Sequence, residues 1–345
     1  MVIVNRILSV LFIALVAESS AAGAWKIEKD VTLLTERNVA QDVRWASDTQ
    51  VFIAEGRNGV TVRRVDAPQT IESYAIPPAK KGGFFFASRI AASPTYVVVA
   101  SPMTSFSWRE RKAAATLRNP IPLAMILDID VRGDKVAVLG GDTDEKGGTP
   151  DGILSVASLS KQVSDRRIVM DGPTGKGGKE LARCHFFEPG AVRFLADGSL
   201  LVVPGLEPGV FQYDAAGKLL RTWQTDSLSI LDDCRLTDAQ MIEFAADFAK
   251  RTDYVNRFTA VEDILPFADA PALILRTVKN NATTWEIAYL RADGKITREP
   301  LPLRSPSPRA HLRGDVRGNR IALLLFDYEL PGNDALPPRL IFATR

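Results

Sequence analysis

The chain contains only two histidines, His185 and His311. Imidazole is the side chain best matched to proton transfer near neutral pH. His185 stands in Cys184-His185-Phe186-Phe187-Glu188-Pro189-Gly190, and His311 in Arg309-Ala310-His311-Leu312-Arg313. Two imidazoles at one mouth would suit a hydrolase, yet no G-x-S-x-G nucleophile motif accompanies them. Hydrogen-bonded structural histidines are the simpler reading.

Two further segments imitate ligand loops. Gly141-Asp142-Thr143-Asp144-Glu145-Lys146-Gly147-Gly148 begins like a calcium loop, with oxygen ligands at alternate positions. Lys146 takes the fifth position and no Glu stands twelfth, so a solvated hairpin tip is favoured. Calcium at Asp142 and Asp144 is the one cofactor to keep in view; otherwise none is expected. Asp171 to Lys179 (DGPTGKGGK) suggests a phosphate loop, but Gly178 occupies the position that a P-loop gives to Lys. It is rejected as a nucleotide site.

Basic residues gather in the connecting segments, among them Lys81, Arg304, Arg309 and Arg313, with Arg89 at the head of a strand pattern. Such a rim suits a protein patch, a glycan or a small anionic ligand. Lys81, Arg89, His185, Arg309, His311 and Arg313 are the ligand- or partner-binding candidates. Over the whole chain, 43 Lys+Arg against 41 Asp+Glu leave a net charge of +2. That near-balance gives no case for nucleic acid.

Residues 1–24 have the three parts of a secretory signal peptide: Arg6, the apolar run ILSVLFIALVA, and the small-residue site Ala22-Gly23-Ala24. The run is too short to span a bilayer, which takes ~20 residues. The expectation is cleavage after Ala24, no transmembrane segment in the mature chain, and a periplasmic or extracellular location. In an oxidising compartment the only two cysteines, Cys184 and Cys234, are expected to pair as a disulfide.

The elements that must position these residues form a repeat. Gly190 to Thr225 reads as four short strands, GAVRFLADG, SLLVVPG, GVFQYDAAG and KLLRTWQT, with hairpin turns at Ala196-Asp197-Gly198 and Ala215-Ala216-Gly217. The apolar second strand recurs from Val51, Tyr96, Val136, Leu200, Leu273 and Ile321. Before each lies a short first strand: DVRW, SRIAAS, LDIDV, AVRFL, VEDIL and HLRGDV. Strand-rich repeats of about 40–50 residues read as propeller blades. The expected fold is all-β: residues 25–345 form one six-bladed β-propeller of four-stranded antiparallel blades. Val31 to Glu36 should close the ring against Arg339 to Arg345. A helix after the capping box Thr237-Asp238-Ala239-Gln240 forms an insertion between blades four and five.

The unit PGAVRFLADGSLLVVPGLEPGVFQYDAAGKLLRTW resembles the NHL-type repeat, whose propellers are structurally similar to gluconolactonase-like enzymes. The resemblance implies the six-bladed fold and a secreted binding or hydrolytic role. Gluconolactonase-like enzymes hold calcium with Glu, Asn and Asp, a set that the first strands here do not reproduce. Hairpin parity adds that turns such as RGD, ADG and RGN lie on one face and the long segments on the other. Functional residues concentrate on loops held by a rigid scaffold. A binding or scaffold module using the loop-rich face is therefore expected, with a lactone or ester hydrolase as the alternative.

Overall fold

A computed structural model describes residues 25–33, 40–74, 86–101, 105–111, 116–118, 123–142, 154–160, 163–168, 190–204, 209–223, 237–327 and 335–345. Six four-stranded antiparallel sheets make a six-bladed β-propeller. Blade one is β2 (Asp42–Trp45), β3 (Gln50–Ala54), β4 (Val60–Arg64) and β5 (Ile71–Tyr74). Blade two is β6 (Arg89–Ala92), β7 (Tyr96–Ser101), β8 (Ser105–Glu110) and β9 (Thr116–Arg118). Blade three is β10 (Leu123–Arg132), β11 (Lys135–Asp142), β12 (Leu154–Ser158) and β13 (Val163–Ile168). Blade four is β14 (Ala191–Phe194), β15 (Leu200–Val203), β16 (Val210–Tyr213) and β17 (Leu219–Trp223). Blade five is β18 (Ala260–Leu265), β19 (Ala272–Lys279), β20 (Ala282–Leu290) and β21 (Ile296–Ser305). Blade six is β22 (Ala310–Arg317), β23 (Arg320–Asp327), β24 (Arg339–Thr344) and, as its outer strand, β1 (Lys26–Thr32).

The unbroken apolar run of each second strand has a direct cause. Successive side chains point to opposite faces, so a strand packed between two neighbouring blades must be apolar at every position. In β15, Leu200 and Val202 join the core between blades three and four, whereas Leu201 and Val203 join the one between four and five. In β23, Leu323 and Leu325 face blade five, and Leu324 and Phe326 face blade one. The apolar core is thus six interblade layers rather than a single centre.

Ring closure follows the expected strategy with different boundaries. The N-terminal partner of β24 is Lys26–Thr32, not Val31 to Glu36; the register runs from Lys26 opposite Thr344 to Thr32 opposite Arg339. Alternation explains the shift. Ile27, Lys29 and Val31 are half-buried while Lys26, Glu28, Asp30 and Thr32 face solvent, as an outermost strand requires. Trp25 and Leu33, buried at the two ends, fix the strand in place. Gly198 (φ 88°) and Gly217 (φ 78°) supply the left-handed turn positions read from the sequence.

The insertion before blade five is helical but broken. Thr237 caps α1 (Asp238–Ala246) through the full capping box with Gln240. The chain then leaves helical geometry at Asp247, whose carboxylate caps a second helix, α2 (Phe248–Val255), by accepting from the Lys250 amide at 3.1 Å. The rings of Phe244 and Tyr254 are tilted against each other at 5.1 Å, and Tyr254 meets Phe258 edge-on at 5.5 Å.

Candidate functional site

The first strands carry charge within segments that are otherwise apolar, beside second strands whose central run is mainly aliphatic. Six inner strands converge on the propeller axis, and their charged side chains fill it in a definite order. The odd blades present carboxylates there: Asp42, Asp128 and Asp263. The even blades present guanidiniums: Arg89, Arg193 and Arg313. All six are between 0% and 5% exposed, so side chains rather than solvent occupy the axis at this level.

Each carboxylate also accepts a backbone N–H from the next blade. Ile90 donates to Asp42 Oδ2 at 2.9 Å, Val192 to Asp128 Oδ2 at 2.9 Å, and Gly314 to Asp263 Oδ2 at 3.1 Å. Arg193 is the bridge of the ring. Its Nη1 donates to Asp128 Oδ2 at 2.6 Å and its Nη2 to Asp263, tying blade four to both neighbours. Gly314 is closely packed: a Cβ there would lie 2.8 Å from Leu323 Cδ2, so that side chain would have to shift.

Arg44 of blade one is a fourth guanidinium at this level against three carboxylates. Its Nη1 donates to Asp42 Oδ1 at 2.8 Å and to the Val43 and Gly314 carbonyls. Its Nε and Nη2 have no hydrogen-bond partner among the described residues. Burial tends to raise the Asp128 carboxyl, but Arg193, Arg313, Arg44 and Arg89 together outweigh it and hold the group below the usual range. For Asp42 burial wins, and its carboxyl is raised despite Arg44.

A second level lies toward the short-turn face. Asp130 accepts from the Phe194 amide at 2.7 Å and Asp315 from the Trp45 amide at 2.8 Å. Burial pushes Asp130 up to about 6, against the pull of Arg193. Asp315 is raised for the same reason, against the pull of Arg44.

The third level lies toward the loop-rich face. Glu262 Oε2 sits 3.0 Å from Nδ1 of His311 and accepts from the Leu312 amide at 3.2 Å. Its Oε1 is 2.5 Å from Arg276 Nε. Burial would raise this carboxyl, but His311 and Arg276 outweigh it and hold it at about 2. His311 stacks on Phe326 with ring centroids 5.8 Å apart. Arg276 Nη1 donates to Asn256 Oδ1 at 3.1 Å, and Asn256 Nδ2 donates to the Pro308 carbonyl at 3.2 Å. Asn256 is the C-cap of α2, so the insertion is bonded directly to the charged cluster.

The residues singled out in the sequence are distributed unevenly over this frame. His311 belongs to the upper cluster. Arg309, half-buried, occupies the turn before β22, its amide bonded to Ser307 Oγ. Arg89 and Arg313 are not rim residues: at 5% and 4% exposure they belong to the axial ring. They sit on inner strands, whose side chains meet the axis rather than a loop surface. Asp142 is the last residue of β11. Lys81, Asp144, Cys184, His185 and Cys234 lie outside the described residues. Among the described residues no group of three or more His, Cys, Asp or Glu is arranged to hold a metal ion.

Sequence reasoning missed Asp42, Arg44, Asp128, Asp130, Arg193, Glu262, Asp263, Arg276 and Asp315. For all but Arg276, which lies in the second strand β19, the available signal was charge recurring inside first strands that are otherwise apolar: DVRW, DID, AVRF, VED and LRGD.

No family model matches the chain, and no curated protein matches it. Solved propeller structures do. Streptogramin B lyase aligns at 9% identity over 93% of this chain and 98% of its own, with a TM-score of 0.52. U3-55K aligns at 8% identity over 91% and 98%, with a TM-score of 0.51. Virginiamycin B lyase from Staphylococcus aureus aligns at 10% identity over 93% and 99%, with a TM-score of 0.49. At such identities the likeness is one of fold. The resemblance to NHL-repeat and gluconolactonase-like propellers accordingly stands for the six-bladed architecture and not for family membership.

Proposed function

We propose that this protein is an exported ligand-binding propeller whose binding surface is the loop-bearing face above the Glu262–Arg276–His311 cluster. One observation carries the reading. The helical insertion is held by Asn256 onto Arg276 and the Pro308 carbonyl. Long insertions incur ordering entropy, and one anchored over buried charge at the mouth of the axis is placed to contact a ligand there.

Below this cluster the axis is filled by the Arg193-centred ring, so a ligand would approach from the loop-bearing side and rest on that ring. Arg304, exposed near the end of β21, and half-buried Arg309 favour an anionic ligand: a glycan, an acidic protein patch or a small anion. Export rests on the signal-peptide pattern of residues 1–24.

A uronic-acid oligosaccharide series titrated against the full mature chain tests the reading. Arg304→Glu and Arg309→Glu should weaken binding, less so as salt rises, whereas Lys218→Glu and Arg317→Glu on the other face should not. Loss of binding only in the second pair would refute the choice of face. Mass spectrometry of the exported chain should find it beginning at Trp25, with no free thiol at Cys184 or Cys234. A disulfide closing a loop of ~50 residues contributes ~4 kcal/mol in the chain-entropy treatment.

A further inference from the structure

The junctions between blades are finished differently on the short-turn side. Where blades five and six meet, the turn after β18 supplies a ring of its own, Phe267, whose amide donates to the Leu265 carbonyl at 2.9 Å. That ring lies 5.9 Å from Trp25 and 6.0 Å from Tyr289 and packs on the interblade core. Near blades six and one, a concave surface of about 390 Å³ is lined by Asp48, Arg64, Asp66 and Arg320 among others. Charge pairs finish that surface: Arg64 with Asp66, Arg317 with Asp48, and Arg320 with Glu28.

Between blades three and four lies a groove of about 600 Å³, a size typical of small-molecule sites. Val156 and Phe194, both half-buried, and Leu200 form its apolar wall and continue the interblade core. The two flanking turns supply no ring like Phe267. They contribute Gly133 (φ 54°) and Gly198 (φ 88°), so neither places a side chain over the opening. A Cβ at Gly133 would meet nothing within 4 Å.

The charges beside this wall are already balanced. The Arg132 guanidinium is held by the carbonyls of Leu195 and Ala196. It also acts on Asp197, whose carboxyl is held below its ordinary range by Ser199 first and by Arg132 in addition. Lys135 acts likewise on Asp134: burial would raise that carboxyl, but Ser158, Ser160 and Lys135 outweigh it. Two cations thus stand with two carboxylates, and the groove presents no net charge to a ligand. An ion entering it would lose hydration without gaining a dedicated partner.

We infer that this groove binds an uncharged, apolar small molecule of aromatic character, seated on Val156, Phe194 and Leu200 as Phe267 is seated on Trp25 and Tyr289. Covering the open parts of Val156 and Phe194 supplies the driving force, and a ring against Phe194 adds an aromatic contact. This is a second site, on the face opposite the one proposed above, and it does not depend on that reading.

Phenylnaphthylamine, an uncharged dye that brightens in apolar surroundings, and its anionic analogue anilinonaphthalenesulfonate are the probes, each titrated with the full mature chain. The uncharged dye should bind once per chain with an affinity that salt does not weaken, and the sulfonate about tenfold more weakly. Val156→Trp should abolish binding by filling the groove, whereas Ile71→Ser, which removes an exposed apolar side chain from blade one, should not. Unchanged melting of each variant separates lost binding from lost folding. If Val156→Trp fails to fold, Ala215→Trp, at an exposed turn position of the same lining, decides in its place by the same loss. No binding of the uncharged dye at about 1 mM protein, a sulfonate bound at least as tightly, or indifference to a folded tryptophan variant would each overturn the proposal.

Discussion

Nδ1 of His311 lies 3.0 Å from Oε2 of Glu262, joining the inner strands of blades six and five at the level where the helical insertion is anchored. The contact gives the carboxylate a strong preference for its charged form, to about 2 against an ordinary 4.5. A depressed carboxyl contributes stability that is present above its unfolded value and is lost as pH falls through the folded one. Acid unfolding should therefore include a component between pH 4.5 and 2 due to this residue, on the order of 3 kcal/mol. Urea melts of Glu262→Gln across this range should lack that component. A variant with the parent's pH slope would contradict the assignment.

Arg193 should be the most sensitive residue of the axis. Truncation to Ala leaves Asp128 and Asp263 facing each other's blades without their shared guanidinium. Removing one partner of a buried ion pair costs about 3–5 kcal/mol, because the remaining charge stays buried. Equilibrium unfolding in urea measures this directly. A loss under about 1 kcal/mol would mean that the ring does not hold the blades together.

Asp130 should act in the opposite sense from Glu262. Its carboxyl is raised from 3.8 to about 6, so the folded chain holds this proton more tightly than the unfolded chain. The associated stability is full below pH 3.8 and declines as pH rises through 6. Asp130→Asn keeps an oxygen for the Phe194 amide and removes the buried charge. It should stabilise the protein by about 1–2 kcal/mol at pH 8 and by nothing near pH 4. Equal effects at both pH values would show that the carboxylate is not desolvated.

Removal of residues 25–33 should open the ring. It exposes the edge of β24 and takes away Trp25 and Leu33, which are 4% and 0% exposed. Burying two such side chains contributes about 4–6 kcal/mol, so the midpoint should fall by roughly 10 °C or more. The exposed edge should also promote self-association. Thermal melts with light scattering test both, and an unaltered midpoint would refute closure by β1.

The architecture was open to reading because it rests on local rules. Unbroken apolar runs such as Leu200 to Val203 announce a strand packed on both faces. Gly198 and Gly217 mark turns that a side chain would strain, and Thr237 with Gln240 caps a helix from neighbours in sequence. Each signal lies within one strand, turn or helix end. The helix break needed one more local cap, Asp247, placed inside an otherwise helical pattern.

The axial ring was settled only by the tertiary structure. Arg193 meets Asp128 and Asp263 across separations of 65 and 70 residues, and nothing in AVRF says which blades flank it. The same distance in sequence made Arg89 and Arg313 look like rim cations, because an arginine reads as exposed until its partners are brought to it. His311 read as one of two unassigned histidines until blade five delivered Glu262 beside it. Periodicity within a few residues determines which strands form and which faces are apolar. The choice of charge partner depends on six blades closing around one axis, an interaction that no local pattern encodes.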